Sequence, residues 1–262
     1  MSEVNEDPLA GSSIISAGGF LKAITKLVTT VGTEQLPNIN RAADVIADCV
    51  RAGGVVQAFG CGHSEALAME IAGRAGGLVP SNRISLRDLV LFGGEPVSVL
   101  EGPLLEKDPT VAHRLYELAP VGAEDVFVIA SNSGVNGLIV EFALHVKSKG
   151  HKVIVLTSRQ HTDLVESNHP SGRKLAELAD VVLDNGAPYG DSALPLPGGG
   201  AVGAVSSITA ALLAQQITVE VVRRLSTQDE KPPIYISANI PGGREHNKVL
   251  EDRYAGRIRR TA

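Results

Sequence analysis

The chain of 262 residues predicts an α/β fold: a three-layer, doubly wound sandwich with about five mainly parallel strands between helices. Three observations carry this. Short apolar runs alternate with helical patterns from Val55 to Leu183, which is the signature of parallel strands joined by crossover helices. Two of these runs break into a polar, glycine-bearing turn that opens a helix. Trp is absent and aromatic residues are only 3%, so a 44% hydrophobic chain must build its core from Val, Ile, Leu and Ala, as buried parallel sheets do.

Taken in order, the first dozen residues are polar, and 1–15 are expected to fray ahead of one domain spanning 16–262. Phe20, Leu21, Ile24, Leu27 and Val28 follow helical spacing, with Gly32 and Pro37 expected to end the segment. A second helix places Ile39, Ala43, Ile46 and Val50 on one face, capped by Asn38 or Asn40 and stopped by Gly53-Gly54. Val55–Phe59 is the first strand, Gly60–Ser64 its turn, and Glu65 opens a helix that stops near Gly76-Gly77. From Leu78 to Pro120, Leu78–Pro80 and Val97–Leu100 read as short strands and Asp108–Leu118 as a helix. Val126–Ala130 is the central strand. It breaks into Ser131-Asn132-Ser133-Gly134, and from Asn136 a helix carries Leu138, Ile139, Phe142 and Val146 on one face. Lys152–Thr157 and Val181–Leu183 are further strands, with Leu175–Ala179 a short helix between them. Gly186–Gly203 reads as a loop, Ser206–Leu225 as a long helix, and the tail as a strand-like piece, a Pro-Gly-Gly turn and a final amphipathic helix.

A net charge of −5 gives no basic surface for nucleic acid or an anionic membrane. No apolar run reaches the roughly 20 residues of a membrane span. Cys49 and Cys61 are too few for a disulfide framework or a zinc cluster, so a reducing cytoplasm is expected.

The turn at 131–136 has four polar side chains around one glycine. Helix capping explains one of them, and the set suits a phosphate at a helix N-terminus. Gly60-x-Gly62 invites a dinucleotide reading, but the third small residue of that fingerprint falls on Glu65, whose carboxylate would repel a pyrophosphate. Cys61 has no paired base and reads as a small buried thiol.

The pair GCGHS and SNSGVN, each after a parallel strand and about seventy residues apart, resembles the sugar isomerase (SIS) domain family over Phe20 to Leu225. The resemblance implies a phosphorylated-sugar ligand, with Ser131, Asn132, Ser133, Gly134 and Asn136 holding its phosphate. It places Gly60, Gly62 and Ser64 against the sugar and implies no redox cofactor. Glu70, within AMEIAGR, is similar to the catalytic acid/base glutamate of phosphoheptose isomerases. Those enzymes place a zinc-ligand histidine one helical turn earlier, where this chain has Ala66, so no metal is expected. By the same analogy His246, near the C-terminus, acts across a subunit interface to open the sugar ring, and His63 is the competing histidine. Asp184, Asn185 and Asp191 are candidates for sugar hydroxyls. The implied activity is aldose–ketose isomerisation of a phosphosugar by a homodimer or homotetramer with the site near the subunit interface. The alternatives are a non-catalytic phosphosugar sensor and a lyase that eliminates an ether or amino group. HPSGRKLAELADVVLDNGAPYGDS and IPGGREHNK resemble stretches of one subgroup of SIS proteins.

Overall fold

The computed structural model describes residues 15–101, 105–226 and 231–260, so residues 1–14 of the expected frayed terminus lie outside the described residues. The elements in chain order are α1 (Ala17–Glu34), α2 (Leu36–Arg51), β1 (Val56–Gly60), α3 (Glu65–Ile71), β2 (Ser81–Ile84), α4 (Asp88–Leu91), α5 (Val111–Leu118), β3 (Val126–Ala130), α6 (Gly137–Ser148), β4 (Lys152–Thr157), α7 (Arg159–Thr162), β5 (Val181–Asp184), β6 (Ser192–Pro195), β7 (Ala201–Ala204), α8 (Ser206–Leu225) and α9 (Gly243–Asp252). β1 to β5 form a five-stranded parallel sheet in the order β2-β1-β3-β4-β5. The order reverses between β1 and β3, and ligands of open α/β sheets bind at such switch points.

Side chains alternate along each strand, so one sheet yields two cores. Val56, Val128, Ile154, Leu156 and Leu183 pack under α1, α2 and α8 on one face. Phe59, Phe127, Ile129, Val153 and Val155 pack under α5 and α6 on the other. Phe59 and Phe142 meet there with ring centroids 4.4 Å apart. Each such fully buried side chain contributes about 1.5–3 kcal/mol of transfer free energy.

The structure corrects several expectations. Pro37 starts α2 rather than ending α1, because a proline in the first turn gives up an N–H that has no helical partner, and Gly32 is absorbed inside α1. β2 lies at Ser81–Ile84, a few residues beyond the expected Leu78–Pro80; Leu78 instead bridges Ile234. Val97–Leu100, expected as a strand, is a 3-10 helix, while the short helix expected at Leu175–Ala179 is present as the 3-10 helix Leu175–Leu178. The expected loop at 186–203 contains the antiparallel hairpin β6–β7. No described helix is long and apolar enough to cross a membrane.

Candidate functional site

A cleft opens at the carboxyl edge of the sheet, at the β1–β3 switch point. His63 and Ser64 line it from the turn after β1, Ala130, Ser131 and Asn132 from the end of β3 and the turn after it, Asn185 from the end of β5, and Ser206 and Ser207 from the start of α8. The cleft is narrow, about 20 Å³, roughly the room of one water. Ser206 and Ser207 were not anticipated from the sequence, where they read only as the beginning of a helix. Ser133, Gly134 and Asn136 lie on the same turn as Ser131 but outside the cleft walls.

The turn at 131–136 is organised from behind. The Asn132 carbonyl accepts from the Ser158 N–H at 3.1 Å and the Thr157 hydroxyl at 3.3 Å. The Ser133 carbonyl accepts from the Thr162 hydroxyl at 2.8 Å. Gly134 and Val135 give theirs to the N–H groups of Leu175 and Asn168, at 2.8 and 2.9 Å. In a trans peptide the C=O and the following N–H point opposite ways. Turning successive carbonyls toward the 157–175 segment therefore turns the N–H groups of Ser133, Val135 and Asn136 away from it. Among the described residues those N–H groups have no acceptor, while the Gly134 N–H is taken by the Ser131 hydroxyl at 3.0 Å. Gly134 sits at φ +66°, and a Cβ there would press the Thr157 and Thr162 hydroxyls at 3.0 and 3.2 Å. Asn136 occupies the N-cap position of α6 without capping it; its Oδ1 accepts from the Asn168 amide at 3.4 Å. The result is a cluster of open donors at a helix N-terminus, suited chemically to an anion.

On the first turn, Gly60 is required by close packing: a Cβ there would lie 2.4 Å from the Ser64 carbonyl oxygen. Gly62 allows the 3-10 turn Gly62–Ser64 that presents Ser64 to the cleft. The Glu65 carboxylate, which breaks the dinucleotide fingerprint, accepts from the Ser85 hydroxyl at 2.8 Å beside Arg87. Burial raises the Cys61 thiol far above its usual range, and Glu106 and Glu65 raise it further, which disfavours the nucleophilic thiolate.

Glu70 stands on α3 one turn beyond Leu67, outside the cleft walls. Its carboxylate is bonded by the Gln215 amide at 2.6 Å and paired with Arg74. With Ala66 one turn before it, and no ligand set of three His, Cys, Asp or Glu side chains among the described residues, this chain does not fit the zinc of phosphoheptose isomerases. His246 lies on α9, its Nε2 3.0 Å from the Ile234 carbonyl oxygen, beside Val50 and Arg51 just before β1. Within one chain it is therefore at the opposite, amino edge of the sheet. Asp184 accepts from the N–H groups of Arg159 and Gly186, and Asp191 caps α8 through Ser206. Of those three residues only Asn185 reaches the cleft, where its amide donates to Asn132 Oδ1 at 3.0 Å.

The SIS domain family model matches residues 19–158. A UPF0309 protein of Listeria monocytogenes is 41% identical over 240 residues, covering 91% of this chain and 97% of that protein. A UPF0309 protein of Geobacillus kaustophilus is 32% identical over 240 residues, covering 91% and 94%. The fold is similar to that of the phosphoheptose isomerase GmhA from Neisseria gonorrhoeae, with a TM-score of 0.53 and 17% identity over 78% of this chain and 95% of that one. The chain belongs to the SIS-domain proteins and, within them, to the UPF0309 family.

Proposed function

We propose that this protein binds a phosphosugar, the phosphate on the 131–136 turn and the sugar against Ser64, Asn185 and Ser206–Ser207. The observation that carries this reading is the set of N–H groups at Ser133, Val135 and Asn136, turned away from the 157–175 segment and left without an acceptor among the described residues because their neighbouring carbonyls are bound from behind. Membership of the SIS family and a fold shared with a phosphoheptose isomerase support it. At about 20 Å³ the cleft must widen to admit a sugar.

The reaction we assign is aldose–ketose interconversion through proton transfer at adjacent sugar carbons. His63 is the titratable side chain on the cleft wall, which favours it over Glu70 and over His246 as the proton carrier. His246 takes part only as a residue of a partner subunit docked over the cleft. The second reading, binding without turnover, is favoured by the position of Glu70, engaged by Arg74 and Gln215 away from the cleft.

Two variants test these readings. Ser131→Ala/Ser133→Ala should weaken sugar-phosphate binding at least about tenfold, the equivalent of one or two charge-assisted hydrogen bonds, while the protein stays folded. Undiminished binding contradicts the site. His63→Gln should keep binding and lose isomerisation of the same sugar phosphate; a wild-type protein that binds without turnover favours the sensor.

A further inference from the structure

The HPSGRK stretch, which the proposed site does not use directly, lies immediately behind it. His169 is buried, with a side chain only 7% exposed. Its Nδ1 is 3.2 Å from the Ser171 backbone N–H and 2.8 Å from the Ser171 hydroxyl. A backbone N–H can only donate, so Nδ1 accepts and Nε2 carries the proton. Nε2–H then donates to Glu141 Oε2 on α6 at 2.8 Å. The other Glu141 oxygen lies 2.7 Å from His113 Nε2 on α5. Burial pushes the Glu141 carboxyl up, but the bonds to His113 and His169 overcome this and hold it below its usual range, so it stands as a carboxylate between two imidazoles.

This carboxylate latches the loop to the helix that the 131–136 turn opens. Next to His169 stands Asn168, whose N–H holds the Val135 carbonyl at 2.9 Å and whose side-chain amide holds Asn136 Oδ1 at 3.4 Å. These bonds fix the peptide planes that aim the Asn136 N–H forward and keep the Asn136 side chain from capping α6. Without them, the Val135 peptide is free to rotate and Asn136 to fold over the helix end, as asparagine does at ordinary N-caps.

We propose that Asn168 and His169, latched by Glu141, are positioning residues that hold the Val135–Asn136 peptide in the anion-binding orientation and so set the affinity of the site. The proposal rests on the reading of 131–136 as a phosphate cradle, and it assigns a role to a loop outside the cleft walls.

The test is titration of inorganic phosphate into the full-length, 15N-labelled protein, with calorimetric affinity and the amide resonances of Ser133, Val135 and Asn136 read together. In the wild type those amides shift on saturation. His169→Ala should lose about tenfold in phosphate affinity, whereas His169→Gln, which keeps a donor within reach of Glu141, should stay within about threefold of wild type. A merely structural role would lower the melting temperature of both and leave the affinity of the folded fraction unchanged. Equal affinity in wild type and His169→Ala overturns the proposal, and so does equal weakening of the Ala and Gln variants. Should His169→Ala not fold, Asn168→Ala takes its place, with an expected loss of about threefold; wild-type affinity there overturns the proposal. Loss of binding in Ser131→Ala/Ser133→Ala with His169→Ala unaffected overturns the latch alone. No phosphate binding and no amide shift in the wild type overturns the latch and the cradle together.

Discussion

Gly134 concentrates the residue-scale logic of the site. It holds φ +66°, a conformation that carries a strain cost for any residue with a Cβ, and it does so between two buried threonine hydroxyls. Gly134→Ala should destabilise the protein by about 1–2 kcal/mol in urea unfolding and weaken sugar-phosphate binding, because relief of the contact moves Thr162 off the Ser133 carbonyl. A variant with wild-type stability and binding contradicts the role given to this turn. Cys61 carries the opposite message. It sits beside the cleft, yet burial and the neighbouring Glu106 and Glu65 hold its thiol protonated, and burial pushes the Cys49 thiol up to about 12. Iodoacetamide at pH 7.5 should leave both cysteines unmodified in the native protein and label both after denaturation. Rapid native labelling of Cys61 contradicts the burial argument.

At the scale of elements, the strand–turn–helix unit of β3 and α6 was legible from residues alone. A continuous run of Val, Phe and Ile must be buried, and the polar turn that follows has a clear chemical reading. β2 was not legible because it is a polar edge strand. Ser81 and Asn82 are fully buried by hydrogen bonds, to the Leu78 carbonyl, to Gln57 and to the chain near Arg259, and no apolar run announces it. The hairpin β6–β7 was hidden by Pro195 and the glycines at its tip, which ordinarily signal loop. Asp180 shows how a charge joins elements. Burial alone raises its carboxyl, but the bond from Lys147 at 2.8 Å, the Val153 N–H at 2.8 Å and nearby Lys152 hold it below the usual carboxylate range. A depressed folded-state value stabilises the protein fully above the unfolded carboxyl range near 4 and loses that contribution as pH falls through the lower folded value. Asp180→Asn should therefore cost about 1 kcal/mol at pH 7, and the difference from wild type should shrink below about pH 4 in urea titrations. A difference that grows on acidification contradicts the assignment.

At the scale of the whole molecule, the contacts that complete the fold are those that no local spacing reveals. Asp125, with its side chain wholly buried, receives the Val55 N–H, the Gln57 amide, the Gly122 N–H and Arg257, and so ties the amino edge of the sheet to the C-terminal segment. The latch of His113, Glu141 and His169 joins three separate segments in the same way, and Ser206–Ser207 reach the cleft only because α8 packs across α2 and α3. Sequence pattern located both turns that line the cleft but not the Asn168–His169 loop bonded behind one of them. It also joined His246 to the cleft by analogy, whereas within one chain the fold sets it at the far edge of the sheet.

The proposed binding of a phosphorylated sugar at the carboxyl edge, through the 131–136 turn, has a direct test. The most direct measurement is thermal denaturation of the wild-type protein with a series of sugar phosphates and their unphosphorylated parents. A ligand at a hundredfold its dissociation constant stabilises the native state by about 2.7 kcal/mol, a rise of about 5 °C or more for a chain of this size. That rise is expected for at least one sugar phosphate and none for its parent sugar. Equal shifts with the parent sugar, or no shift with any sugar phosphate, would contradict it.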